Sequence, residues 1–118
     1  MLNSVALIGR LTRDAETRYT KNNKQMTRFT IAVDRWKKGE TDFVPIVCFA
    51  RTAELAANLT KGELVAIDGR LQIDSTRTDD GWKTYVSVIA NFIEFLSPKK
   101  KEDDPGEIID FNEGDLPF

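Results

Sequence analysis

Apolar and polar positions alternate over several stretches of the chain, and each stretch predicts a strand. Val5 to Thr12 alternates apolar with mixed residues and carries Gly9, as a bent strand would. Arg13 to Gln25 is mostly polar, with Lys21-Asn22-Asn23-Lys24 at its centre, and reads as a long loop. From Met26 to Trp36 the apolar residues Phe29, Ile31 and Val33 recur at period two, which gives a second strand. A turn at Lys37–Asp42 containing Gly39 leads to a third strand, Phe43 to Ala50. Pro45 cannot donate to a ladder there and belongs at an edge or bulge. The period then changes. Thr52 is a potential cap, and Leu55, Ala56 and Leu59 follow helical spacing until Lys61-Gly62. Leu64 to Ile73 places Val65, Ile67, Gly69, Leu71 and Ile73 on one face of a fourth strand. Asp79-Asp80-Gly81 marks a hairpin, and a fifth strand runs to about Leu96.

Strand, strand, strand, helix, strand, strand is the order of an OB-fold, a five-stranded Greek-key barrel with a short helix between strands three and four. On pattern alone, another small α+β fold accommodates the same elements.

Composition narrows the function. The 118 residues suffice for one domain of ordinary size, 41% of them are hydrophobic, and no apolar run approaches the length of a membrane span. With no basic, apolar leader at Met1-Leu2-Asn3-Ser4, the expected protein is soluble and not exported. The single cysteine, Cys48, excludes an internal disulfide, and the lack of histidine removes the commonest metal ligand and the usual neutral-pH base. Asp79-Asp80 sits before a turn glycine, and Gly9-Arg10-Leu11 lacks the ending of a phosphate loop. The reading is therefore a non-enzyme with no cofactor and no metal. The net charge of −2 hides an asymmetry: residues 1–98 hold 14 Lys+Arg against 12 Asp+Glu, while residues 99–118 hold 3 lysines against 7 acids. A mildly basic body (1–98) followed by a disordered acidic tail (99–118) is expected.

The residues themselves carry a resemblance. NSVALIGRLTRDAETRY (3–19), TRFTIAVDRW (27–36), TDFVPIVCFA (41–50), LTKGELVAIDGRL (59–71) and DGWKTY (80–85) resemble, in order, the bacterial and phage single-stranded DNA-binding proteins. The ending Asp115-Leu116-Pro117-Phe118 resembles that family's acidic-then-apolar tip. The resemblance implies an OB-fold and sequence-tolerant binding of single-stranded DNA in replication, recombination and repair. It also implies a homotetramer that recruits partner enzymes through the tip, in the bacterial cytoplasm or nucleoid, including a phage-infected cell.

Holding an unpaired strand takes aromatic faces for bases and cations along the backbone. Phe43 and Phe49 lie six residues apart on one strand and so share a face. With Trp36 they occupy positions where the family places stacking aromatics; the alternative for each is core packing. Arg18, Arg51 and Lys61 match phosphate-contact positions of the family, and Arg35, Lys37 and Lys38 flank Trp36. As single residues these cations could equally be solvated surface charge. Thr76 stands where the family usually has an aromatic, so one platform is expected to be lost. Trp82 across the hairpin either replaces it or packs on the turn. Tyr19 and Tyr85 read as structural, and Cys48, opposite in parity to Phe49, as a small buried hydrophobe. Competing readings are an OB protein for RNA or primosome assembly, which the terminal Asp-Leu-Pro-Phe disfavours, and a small nuclease, which the missing histidine disfavours.

Overall fold

The computed structural model describes residues 1–97; the predicted tail and its tip, Asp115–Phe118, lie outside the described residues. The strands are β1 (Val5–Leu11), β2 (Glu16–Tyr19), β3 (Gln25–Asp34), β4 (Thr41–Phe49), β5 (Leu64–Thr78) and β6 (Gly81–Phe95), with helix α1 (Ala50–Ala56) between β4 and β5. The sheet order is β1-β5-β6-β4-β3-β2, and a further pairing of β1 with β3 closes five of the strands into a barrel. The pair β4–β6 is parallel and the others are antiparallel. This is the OB arrangement expected from the alternation, with helix α1 in the expected place.

The barrel closes because β1 approaches β3 at a glycine. A Cβ on Gly9 would stand 2.5 Å from the Ala32 carbonyl oxygen, so only a bare α-carbon lets Arg10 and Leu11 reach Ala32 and Ile31. Gly69, where β5 shifts register against β6, is equally crowded by the Ile89 carbonyl. Inside the barrel, Phe29, Ile31, Ile46, Cys48, Val65, Ile67 and Val88 form one cluster, sealed at one end by Ala53, Ala56 and Leu59. Among the described residues the one buried polar side chain, Thr27, donates its hydroxyl to the Ala53 carbonyl (2.9 Å) and lies 3.1 Å from the Thr17 hydroxyl. It ties α1 to β3 and β2 without leaving an unpaired group inside.

Three local features differ from the sequence reading. The expected loop contains β2, whose four residues are all exposed. It pairs with Gln25–Arg28 on the edge of β3 that β1 uses further along, and with no buried residue it carries no apolar alternation. Thr52 does not cap the helix. The chain leaves β4 extended at Phe49, turns through Ala50 at φ 54°, and forms α1 with no side-chain cap. Ala53 and Ala56 face the core, while Leu55 is exposed. Finally, β5 continues past Ile73 to Thr78, so β5 and β6 pair as far as Thr78 and Gly81. The pairing of β1 with β5 stops at Gly69 and that of β4 with β6 at Val88, so the far half of the hairpin projects as a two-stranded arm. Asn3 braces its base, giving its amide to the Leu71 carbonyl (2.9 Å) and accepting from the Leu71 amide (2.8 Å).

Candidate nucleic-acid interface

Alternation along β4 sorts its residues between two environments. Ile46 and Cys48 are fully buried and Val44 packs against the same core, while Phe43, Pro45 and Phe49 stand exposed on the outside with Val47 half-buried between them. Core packing was the alternative for these phenylalanines; Phe43 is 65% exposed and Phe49 41%, so both present ring faces to solvent. Cys48 is a buried hydrophobe as read from parity, and burial pushes its thiol up to about 12, far from reactive thiolate chemistry.

Register carries this outer face across the sheet. Phe49 is opposite Met26, which is opposite Arg18 on β2; Val47 is opposite Arg28, which is opposite Glu16; Phe43 is opposite Ala32, which is opposite Arg10 on β1. Paired residues share a face, so aromatic and cationic side chains stand in adjacent rows about 5 Å per strand apart. Glu16 is shared between Arg18 (3.7 Å) and Arg28 (3.6 Å), both exposed pairs in which solvent competes for the cations. Over these rows runs a groove of about 560 Å³ whose floor includes Phe43, Pro45, Val47, Thr30 and Arg28 and whose wall is Thr12, Arg13 and Asp14.

The other expected residues surround this groove in different ways. Trp36 is fully exposed on the β3–β4 turn beside Lys37 and Lys38. Arg35 does not project freely. Its guanidinium donates to Asp42 (2.9 and 3.1 Å) and Glu40 (3.0 Å), and its backbone amide donates to the Glu40 carbonyl (2.9 Å). The hydrogen bond to Asp42 raises the Arg35 pKa, and the same bond holds the Asp42 carboxyl below its usual range. Arg35 thus shapes the turn that presents Trp36. Lys61 sits beside the groove wall, because its amide donates to Asp14 (2.9 Å), and Arg51 is exposed on the first turn of α1.

On the arm, Trp82 is opposite Arg77 whereas Thr76 is opposite Lys83, so Trp82 and Thr76 occupy opposite faces of the hairpin. Trp82 shares its face with Ile73, Val86 and Leu71, all exposed. The Thr76 face carries Lys83 and Tyr85 and continues through Ser87 to Ile89, which is opposite Val47. It is therefore the Thr76 face that runs into the β4 rows. The sequence reading missed Arg13 and Arg28. Arg28 was legible in part, since it shares parity with Thr30 and Ala32, the outward positions of β3. Among the described residues no group of three or more acidic, cysteine or histidine side chains is placed to hold a metal ion. Nor is any helix there long and apolar enough to cross a membrane.

Comparison with known proteins meets this geometry. The pattern of the single-strand binding protein family matches residues 2–96. A single-stranded DNA-binding protein of Halalkalibacterium halodurans is 40% identical over 117 residues, covering 93% of this chain and 70% of the relative. One from Caldanaerobacter subterraneus is 45% identical over 106 residues, covering 84% of this chain and 71% of the relative. Single-stranded DNA-binding protein 2 of Staphylococcus aureus is 42% identical over 106 residues, covering 84% and 75%.

Proposed function

The chain belongs to the single-strand binding protein family, whose members bind DNA and are not enzymes, and we propose that it holds unpaired DNA across the outer face of β3 and β4. The observation that carries this reading is the alignment of Phe43 and Phe49 with Arg28 and Arg18 in neighbouring rows of one exposed face, with Phe43 and Arg28 lining an open groove. Bases stack on Phe43, Phe49 and, at the turn, Trp36. Phosphates meet Arg18, Arg28, Lys37, Lys38, Arg51 and Lys61. Arg35 acts through the turn it holds. Stacking accepts any base, since each has a π-face, and the binding is sequence-tolerant for that reason. The role is to protect single strands and present them during replication, recombination and repair in the bacterial cytoplasm or nucleoid.

Titrating labelled oligo-dT, mixed-sequence single strands and duplex of equal length tests this reading. The single strands are expected to bind alike and more tightly than duplex, with affinity falling linearly in the logarithm of salt. Preference for duplex, or affinity independent of salt, would overturn it.

The assembly proposed is a homotetramer. Its support is that β1 pairs with β3 only at Arg10 and Leu11, leaving the Val5–Ile8 edge open to another strand. Beside that edge Ile8 and Phe92 are exposed around a hollow of about 600 Å³ lined also by Ala6, Ala66 and Ile67. Light scattering is expected to give about four times 13.4 kDa, and a monomer at micromolar concentration would contradict the assembly alone. Residues 1–98 are proposed as the binding domain and 99–118 as a recruiting tail. The apolar Leu116, Pro117 and Phe118, preceded by acids, suit an apolar pocket rimmed by Arg or Lys on replication, recombination or repair proteins. Deleting Asp115–Phe118 is expected to abolish pull-down of such partners and leave oligo-dT affinity unchanged or slightly raised.

A further inference from the structure

We propose that Tyr85 is a stacking residue and that it moves the lost hairpin platform from β5 to β6. The inference rests on the strand-binding reading above and extends the path of the DNA from the barrel onto the arm.

The register fixes the relevant face. Thr76 faces the same way as its partner Lys83, and Asp74 the same way as its partner Tyr85, so Tyr85 is the diagonal neighbour of Thr76 on one surface of the arm. Along β6 the residues of that surface are Lys83, Tyr85, Ser87 and Ile89, spaced by about 7 Å. Ile89 is opposite Val47, which lies between Phe43 and Phe49 in the outward set of β4. One row of outward register positions therefore links the β4 phenylalanines to Tyr85, passing the buried Ile89 and the half-buried Ser87, at a stride suited to successive bases of an extended strand. Tyr85 is 57% exposed and, among the exposed aromatic residues of the arm, is the one on this surface. Trp82, the more conspicuous aromatic, is 69% exposed but faces the other way with Ile73 and Val86.

Charge sets where the backbone can run. Lys83 lies beyond Tyr85, and Arg70 lies opposite Ile89 on the barrel side, so a cation flanks each end of the segment. Asp74 is directly opposite Tyr85 and its carboxylate accepts from the Gln72 amide (3.1 Å). It disfavours a phosphate beside Asp74, at the middle of the segment. The strand is therefore carried along β6, with the base on the Tyr85 ring and the phosphates toward Lys83 and Arg70.

The test compares Tyr85→Ala, Tyr85→Phe and Trp82→Ala with the unaltered protein, using anisotropy of labelled oligo-dT of increasing length. Tyr85→Ala is expected to weaken binding roughly 5- to 150-fold, but only for oligonucleotides long enough to pass from β4 to the arm. Tyr85→Phe, which keeps the ring, is expected to bind as the unaltered protein does, and Trp82→Ala to show no comparable loss. Circular dichroism melts verify that each variant is folded, which the exposure of both residues favours. The inference is overturned if Tyr85→Ala binds long oligonucleotides normally, if Tyr85→Phe loses as much as Tyr85→Ala, or if the loss follows Trp82. An unaltered protein that binds no single strand would instead defeat the broader reading.

Discussion

Replacing Phe43 by alanine separates a binding residue from a core residue, because its neighbour Ile46 provides the opposite case on the same strand. Phe43 is 65% exposed, so about a third of a side chain whose full burial is worth roughly 1.5–3 kcal/mol contributes to folding. Phe43→Ala should therefore cost the fold about 0.5–1 kcal/mol. Ile46 is fully buried within the barrel cluster, and Ile46→Ala should cost about 2–5 kcal/mol through lost burial and the cavity left behind. Binding should reverse the order. A base–aromatic stack contributes about 1–3 kcal/mol, so Phe43→Ala should weaken oligo-dT roughly 5- to 150-fold. Ile46→Ala, if studied well below its melting temperature, should bind nearly normally. Thermal melts at fixed protein concentration read the first quantity and anisotropy titrations the second. Full affinity in a folded Phe43→Ala protein would remove Phe43 from the interface. A stability loss as large as that of Ile46→Ala would show that the ring packs in the core after all.

Other perturbations reach different parts of the account. Gly9→Ala brings a methyl carbon within 2.5 Å of the Ala32 carbonyl oxygen, so it should lower the melting temperature by prising β1 from β3; an unchanged melt would refute the role given to that contact. Burial lifts Cys48 from 9.0 to about 12, so above about pH 9 the unfolded chain releases a proton that the folded one keeps. Stability attributable to this site should then fall by about 1.4 kcal/mol per pH unit until about pH 12. Urea midpoints for the unaltered protein and Cys48→Ala should diverge in slope over that range, and parallel profiles would contradict the burial argument. Arg35→Ala should weaken oligo-dT binding by loosening the Trp36 turn while leaving the salt slope unchanged, since Asp42 and Glu40 already occupy the guanidinium. A slope reduced by about one would mean that Arg35 contacts a phosphate.

What the sequence disclosed and withheld follows from which facts are local. The parity of Phe43 and Phe49 against Ile46 and Cys48 is a property of one strand; alternation put the two pairs on opposite faces, and the resemblance, not the alternation, pointed the phenylalanines outward. β2 escaped because Glu16, Thr17, Arg18 and Tyr19 are all exposed and leave no period-two apolar trace. The helix start was misplaced because Thr52 looks like a cap, whereas the turn off β4 is made by Ala50 in a left-handed conformation that no local polar residue announces. Arg28 joins Phe43 and Phe49 only through the pairing of β3 with β4, a contact between strands. The contrast between Trp82 and Tyr85 is likewise set by the register of a long hairpin. A count from the Asp79-Asp80-Gly81 turn would have yielded it, had β5 been known to reach Thr78.

Photo-crosslinking to an oligonucleotide of photoreactive thymidine analogues, followed by peptide mass spectrometry, tests the central claim most directly. The adducts are expected on Trp36, Phe43, Phe49 and Tyr85, the aromatic residues assigned to the DNA path. Adducts concentrated instead on Phe92 and Phe95, which are exposed on β6 away from the groove, would contradict it.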